Sequence, residues 1–435
     1  MTITKYCLHS QLIFEPFEQM KRTLIIFLTI LAMSTQLYAQ KIDFQLLPEL
    51  MKSQPEKFQF ILDNADRLRV QIVYTQIDRD VLNRPSFTTY GFRLNPQEYF
   101  YPASTVKLPA CVLALEKINQ LNKKGLSKDT PMFTGAEYER HTPVTGDSTS
   151  ANGMASVAHY AKKILMVSDN DAFNRLYEFM GQEGFNDRLR TKGLKDTRIV
   201  HRLEVGMSVE QNKRTNPISF KENGQVVYEQ PMITASKEYF PVEPIKLGKG
   251  YIKGDATINE PFDFTQKNFF PLIEQQQLLR SIIFPNAVPK EQRFDLTTED
   301  YQFLHKYMSQ MPTESKYPAY SLPDYWPAYC KFLIYGGQKD AVINPNIRIF
   351  NKVGDAYGFL LDNAYIVDFE KGIEFMLSAV ILCNEDQIFN DSKYDYDTIG
   401  FPFMKNLGEL VYQYESNRPK KHLPNLSKFK FQYDK

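Results

Sequence analysis

The residues with most chemical promise are Ser104 and Lys107, in the run Tyr101-Pro102-Ala103-Ser104-Thr105-Val106-Lys107. On a helix, a spacing of three puts two side chains on one face, a turn apart, so both point into the same space. A serine hydroxyl becomes a nucleophile when a neighbouring base takes its proton, and a desolvated lysine serves as that base. A serine at a helix start also lies where backbone N–H groups and the helix dipole favour developing negative charge. Alone, the spacing is met as readily by an N-cap serine followed by a solvated lysine. Two further segments change that balance. Ser168-Asp169-Asn170 interrupts an apolar helical pattern, and Lys352-Val353-Gly354 ends a strand-like run.

These residues need elements to hold them. Residues 46–68 read as one helix anchored by Leu46, Leu50, Phe58, Phe60, Ile61 and Leu68. Residues 69–75 alternate, with Val70, Ile72 and Tyr74 on one face, as a strand does, and 87–92 is the expected partner. Behind Ser104 an apolar helix reaches Leu121; Pro109 deletes one backbone donor near its first turn and is expected to kink it without breaking it. Residues 127–154 read as loop. Helices are expected over 156–167 and then around Phe173, Leu176, Tyr177 and Met180, closed by Gly181. Residues 205–295 show no sustained period and are expected to hold a hairpin or two draped over the body. A helix starts at 296–300, a strand covers 347–354, and 363–368 with 373–381 form a hairpin around Glu370-Lys371-Gly372. A last helix is expected over 403–414, and the basic segment after Pro419 is expected to be loosely ordered.

Composition bounds the function. The chain has 435 residues, 43% of them apolar, enough for a substantial core. Lys+Arg number 52 and Asp+Glu 51, a balance that argues against a nucleic-acid or anionic-membrane surface and for a small-molecule or peptide-like substrate. Met20-Lys21-Arg22, an apolar stretch to Met33 and Leu37-Tyr38-Ala39 read as a signal peptide cleaved after Ala39, with residues 1–19 as an upstream extension. The mature chain is then periplasmic or secreted, with no stable membrane span, since the apolar run is short for one. Cys7 leaves with the leader, and Cys111, Cys330 and Cys383 are expected as buried free thiols. There is no Cys-x-x-Cys and no histidine pair at ligand spacing, so no metal or other cofactor is expected. A monomer is expected.

Ser-x-x-Lys, then Ser-Asp-Asn, then Lys-x-Gly on a strand, in that order, resembles the penicillin-recognising serine hydrolases, and among them the class A β-lactamases. Thr197-Arg198 and Thr215-Asn216-Pro217 agree, and the resemblance covers about 68–220 and 296–415. It implies an α+β fold with an antiparallel sheet flanked by N- and C-terminal helices. An all-helical lobe completes it, with the active site between the lobes. A single domain over 40–435 follows, with the α/β lobe at about 40–107 and 345–435. The helical lobe then falls at about 108–344, including an insert at about 205–295.

The resemblance also implies roles. Ser104 attacks a carbonyl and is acylated, Lys107 takes or helps take its proton, and Ser168 passes a proton to the leaving nitrogen. Asn170 bonds Lys107 and the substrate amide. Lys352 holds Ser168 and attracts a substrate carboxylate. Gly354 belongs to the strand motif, and the N–H groups of Ser104 and Asp355 form an oxyanion hole. Two lysines beside one serine depress each other's pKa by like-charge repulsion, which makes neutral Lys107 available as a base.

Two positions depart from the pattern. Val353 stands where the family has Thr or Ser, so the hydroxyl that helps bind a carboxylate is missing. The deacylating glutamate is expected near His201-Arg202-Leu203-Glu204-Val205-Gly206, where Glu204 is the one carboxylate, followed by Val205 rather than Pro. The other reading of Glu204 is a surface carboxylate paired with Arg202 or Arg198. A Ser-His-Asp triad through His201 would need a Gly-x-Ser-x-Gly elbow, which is absent, so His201 is read as a surface or loop-packing residue. The resulting expectation is an exported serine hydrolase with a β-lactam amide as substrate. The alternatives are a same-fold enzyme for cell-wall peptides or small amides and esters, and a weakly catalytic penicillin-binding protein.

Overall fold

The computed structural model describes residues 42–435, of which Asp43–Lys435 form one compact unit. The expected leader, its cleavage point and Cys7 lie outside the described residues. Two short helices come first, α1 (Leu46–Lys52) and α2 (Pro55–Asp63), in place of the single helix expected over 46–68. Pro55 explains the break. It has no N–H with which to continue α1, yet its fixed φ suits the first turn of a new helix. Strands β1 (Gln71–Arg79) and β2 (Pro85–Phe92) then pair antiparallel, with Tyr74 opposite Tyr90.

A 3-10 turn, Ala103–Val106, leads into α3 (Lys107–Leu121). Ser104 therefore sits in a tighter turn than the α-helix expected for it. Pro109 is the third residue of α3, where a helix start leaves its N–H groups unpaired, so the helix runs on to Leu121. After β3 (Met132–Thr134) come α4 (Val157–Val167), α5 (Asn170–Met180) and α6 (Gln182–Thr191). The Ser156 hydroxyl accepts from His159 N at 3.1 Å and caps α4.

The 205–295 stretch does hold hairpins, but it is more than a drape. A short helix α7 (Val209–Lys213) precedes β4 (Ile218–Glu222) and β5 (Gln225–Gln230), which join β3 in a three-stranded sheet, so this lobe is not all-helical as expected. Helix α8 (Leu272–Ile283) is part of the body. Gln276 Nε2 donates to Val73 O at 3.0 Å and Ser378 Oγ at 3.1 Å, and Thr75 Oγ1 donates to Gln276 Oε1 at 2.6 Å. The glutamine run 275–277 hid this helix, because its sheet-facing side docks through amides rather than through an apolar stripe.

Helix α9 (Thr298–Ser309) starts at a capping box of Thr297 and Asp300. Strands β6 (Ile347–Ala356), β7 (Phe359–Asp368) and β8 (Ile373–Leu382) follow, and α10 (Phe401–Asn417) closes the main body. The α+β class read from the sequence is the one observed. One five-stranded sheet runs β6-β7-β8-β1-β2, every neighbouring pair antiparallel. One face buries Ile72, Tyr74, Ile366 and Leu377 against α1, α2 and α10; the other buries Phe350, Tyr365 and Met376 against the helical lobe. The three cysteines among the described residues are free and buried.

The C-terminal segment is not loose. Phe429 is fully buried, with ring centroids 4.9 Å from Tyr365 and 5.4 Å from both Phe350 and His305. Its aromatic residues outweigh the surrounding lysines, since burying one such ring is worth about 2–3 kcal/mol.

Candidate active site

The β6 edge of the sheet meets the turn that carries Ser104. A Cβ placed on Gly354 would lie 2.8 Å from Ser104 N, 3.0 Å from Pro102 O and 3.1 Å from Ala103 Cβ. Only glycine lets this strand approach so closely. The contact fixes Lys352, two residues back on the same strand, relative to Ser104. Lys352 pairs with Asn363 and Val353 with Asp362, whose carboxylate accepts from Asn351 Nδ2 at 2.8 Å and from Leu333 N at 3.0 Å. Lys331, fully enclosed, donates to Asn351 Oδ1 at 2.7 Å and Ile349 O at 2.9 Å, which ties the loop beyond α9 to β6. Burial lowers the Lys331 ammonium to about 8.

Ser168 is the hub of the charged groups. It ends α4 in the left-handed region, φ +62°, while Asp169 caps α5 by accepting from Ala172 N at 2.7 Å. Left-handed backbone costs a non-glycine residue about 1–2 kcal/mol. Here it turns both the carbonyl and the hydroxyl of Ser168 toward Lys107. Lys107 Nζ donates to Ser168 O and, at 3.2 Å, to Ser168 Oγ; Lys352 Nζ donates to the same Oγ at 2.8 Å and to Val353 O at 2.8 Å. Two lysine nitrogens thus share one hydroxyl. The Lys107 bond expected from Asn170 is not formed, because the Ser168 carbonyl takes that place. Ser104 Oγ has no hydrogen bond among the described residues.

The electrostatics follow from that crowding. Lys107 is fully buried and held well below the ordinary lysine range, first by burial and then by Lys352. Lys352 is also lowered, chiefly by burial, with nearby Cys330 and Asp355 opposing. The depression is therefore unequal: Lys107 carries more of it and is the more readily neutral of the two.

Glu204 lies beside Ser104, not at a distant surface. The loop before it is clamped: Asn174 Nδ2 donates to Leu203 O at 3.0 Å, and Leu203 N donates to Asn174 Oδ1 at 2.8 Å. Arg202 pairs with Glu178 at 2.8 Å, and Arg198 Nε donates to Lys267 O at 3.2 Å, so neither arginine neutralises Glu204. Glu204 is exposed, with φ +55° and no hydrogen bond or ion pair among the described residues. His201 is a packing residue. Nδ1 meets Arg202 O at 2.6 Å, Nε2 accepts from Asn268 N at 3.2 Å, and burial lowers the ring to about 4.

Two clefts meet at Ser104. The larger, about 750 Å³, also holds Ser168, Asn170, Glu204, Val353 and Asp355, with Trp326, Tyr329, Phe332 and Lys339 as its far wall. The smaller, about 380 Å³, shares Ser104, Asn170, Glu204 and Asp355 and adds Tyr101, Tyr357 and Tyr394. Ala103, Ser168, Glu204 and Tyr357, all left-handed and none glycine, stand in these walls. Backbone strain gathers where function needs a fixed geometry. Sequence reasoning missed the aromatic and Lys339 walls. The lone tryptophan and the Gly336-Gly337 pair were the only signals. No cluster of metal-ligating side chains occurs among the described residues.

A buried lysine pair around a second serine, beside a serine in a tight turn, has the parts that serine acyl transfer requires. Residues 56–235 match the beta-lactamase enzyme family, and this span carries Ser104, Lys107, Ser168, Asn170 and Glu204. That span holds two of the three motifs behind the resemblance to the penicillin-recognising serine hydrolases, Ser-x-x-Lys and Ser-Asp-Asn, while the third, Lys352-Val353-Gly354, lies beyond it. No curated protein matches the sequence. Among solved structures, a beta lactamase from Xanthomonas campestris pv. campestris is similar at 14% identity and TM-score 0.47, covering 83% of this chain and 98% of its own. A beta-lactamase from Burkholderia phymatum is similar at 14% and 0.47, covering 85% and 100%. PBP-A is similar at 13% and 0.45, covering 84% and 95%.

Proposed function

We propose that this protein is an exported hydrolase that forms and then hydrolyses an acyl-enzyme at Ser104, with a β-lactam amide as substrate. The observation that carries the reading is the meeting of Lys107 and Lys352 on Ser168 Oγ, at 3.2 and 2.8 Å, in the cleft that also holds Ser104. Neutral Lys107 accepts the Ser104 proton as Oγ bonds to the substrate carbonyl carbon. The oxyanion is held by the N–H groups of Ser104 and Asp355. Collapse of that intermediate breaks the C–N bond; Ser168, oriented by Lys352, donates its proton to the departing nitrogen and is reprotonated by Lys107 across their 3.2 Å bond, which returns Lys107 to its neutral form. Glu204 then takes a proton from the water that attacks the ester carbonyl, and gives it to Ser104 Oγ as the acyl–oxygen bond breaks, which restores both residues.

A second reading, an enzyme of the same fold for cell-wall peptides or small amides and esters, is favoured by one feature. Val353 lines the larger cleft without the hydroxyl that would grip a carboxylate. One experiment separates the two. The purified protein is incubated with a fluorescent penicillin, nitrocefin turnover is followed alongside, and Ser104→Ala is the control. Transient labelling with turnover, abolished in Ser104→Ala, is expected. A label that persists makes the protein a penicillin-binding protein. No penicillin label but reaction of Ser104 with a fluorophosphonate establishes the ester or amide reading. No reaction with either reagent overturns both.

A further inference from the structure

We propose that the smaller cleft binds an ammonium group on the acyl part of the substrate, through Asp355 and Glu204. The proposal rests on the acyl-enzyme reading. In that reading the leaving nitrogen faces Ser168, and Ser168 lines only the larger cleft. The smaller cleft shares Ser104 but not Ser168, so it takes the acyl part.

Its chemistry is one-sided. Glu204 and Asp355 are its only charged side chains, and neither has a hydrogen bond or ion pair among the described residues. Lys107 and Lys352 are tied to Ser168 on the other side. Asp355 is exposed where it opens on the cleft. Desolvation by the cleft walls holds its carboxyl above the ordinary carboxylate range, the two lysines oppose that, and Glu204 adds to it. A cation seated here supplies the missing counter-charge. The walls suit it as well: Tyr101, Tyr357 and Tyr394 line the cleft, and aromatic rings attract ammonium groups. An anionic acyl group would meet two unpaired carboxylates.

The test compares benzylpenicillin with ampicillin, which differ by one ammonium on the acyl chain. The time course of Ser104 acylation is read by mass spectrometry. Ampicillin is expected to acylate about 5–10-fold faster at equal concentration. That ratio falls toward one in Asp355→Asn, which keeps the backbone N–H. It also falls with added salt in the unmutated protein, a readout that needs no variant. A ratio of one or below, or one that neither salt nor Asp355→Asn alters, overturns the proposal. If neither penicillin acylates Ser104, glycyl and N-acetylglycyl 4-nitrophenyl esters make the same comparison. Equal rates with that pair sink the ammonium site and leave the hydrolase standing, whereas no acylation by any of the four reagents sinks the hydrolase reading itself.

Discussion

Replacing Gly354 by alanine tests the link between strand and nucleophile most directly. The new Cβ would sit 2.8 Å from Ser104 N and 3.0 Å from Pro102 O, both backbone atoms that cannot swing aside. Comfortable carbon contacts begin near about 3.5 Å, so strand or turn must give by roughly 0.5 Å or more. Overpacking of this kind costs about 1–3 kcal/mol of stability. The larger effect falls on chemistry, because the displaced atom is the Ser104 N that donates to the oxyanion in the proposed mechanism. Losing one such donor slows the reaction about 10²–10³-fold. Gly184→Ala is the control: this glycine lies in α6 with nothing within 4 Å of an added Cβ, so the change leaves acylation untouched. The assay pairs stopped-flow acylation by nitrocefin with thermal unfolding. Gly354→Ala should melt a few degrees lower and acylate at least a hundredfold more slowly. If it acylated within threefold of the unmutated protein, β6 would not be shaping the Ser104 turn, and the proposed oxyanion hole would be wrong.

Glu204→Gln should still acylate but hold the acyl-enzyme about 10²–10⁴-fold longer, seen as a persistent mass adduct after a rapid burst; steady turnover at the original rate would remove Glu204 from the mechanism. Acylation should rise with pH along a limb set by Lys107, which works only when neutral. Because Lys107 is already held well below the ordinary lysine range, that limb lies on the acid side of an unperturbed lysine. Lys352→Met removes the like charge that disfavours protonated Lys107, so the Lys107 pKa rises and the limb moves to higher pH. A pH–rate profile that stays in place, or moves to lower pH, contradicts that coupling.

The candidate site was legible because the chemistry proposed for it depends on residue type at short, ordered spacings. Ser104, Lys107, Ser168 and Lys352 announced themselves in three tripeptide-scale patterns, and the structure brings them together. The sheet was legible in its buried strands, where the alternation around Tyr74 and the hairpin near Gly372 leave little choice of partner. What stayed hidden depends on long-range geometry. Helix α8 buries glutamines against β1 and β8, so a search for apolar periodicity passes over it. The C-terminal segment reads as basic and soluble until Phe429 is seen among the rings of Phe350 and Tyr365. Asn170 does not reach Lys107, because the left-handed backbone of Ser168 presents a carbonyl there first. No local pattern in the sequence foretells that conformation in a serine.

The seam of the large sheet has a further consequence. β1 lies between β2 and β8, so Val73 pairs with Ser378 across some three hundred intervening positions. Contacts that distant form late, after the entropy of closing so long a loop has been overcome. Ser104 lies early in the chain and Lys352 late, so in the proposed mechanism the surroundings of the nucleophile are complete only after β6 has docked. Its activation would then be timed by topology.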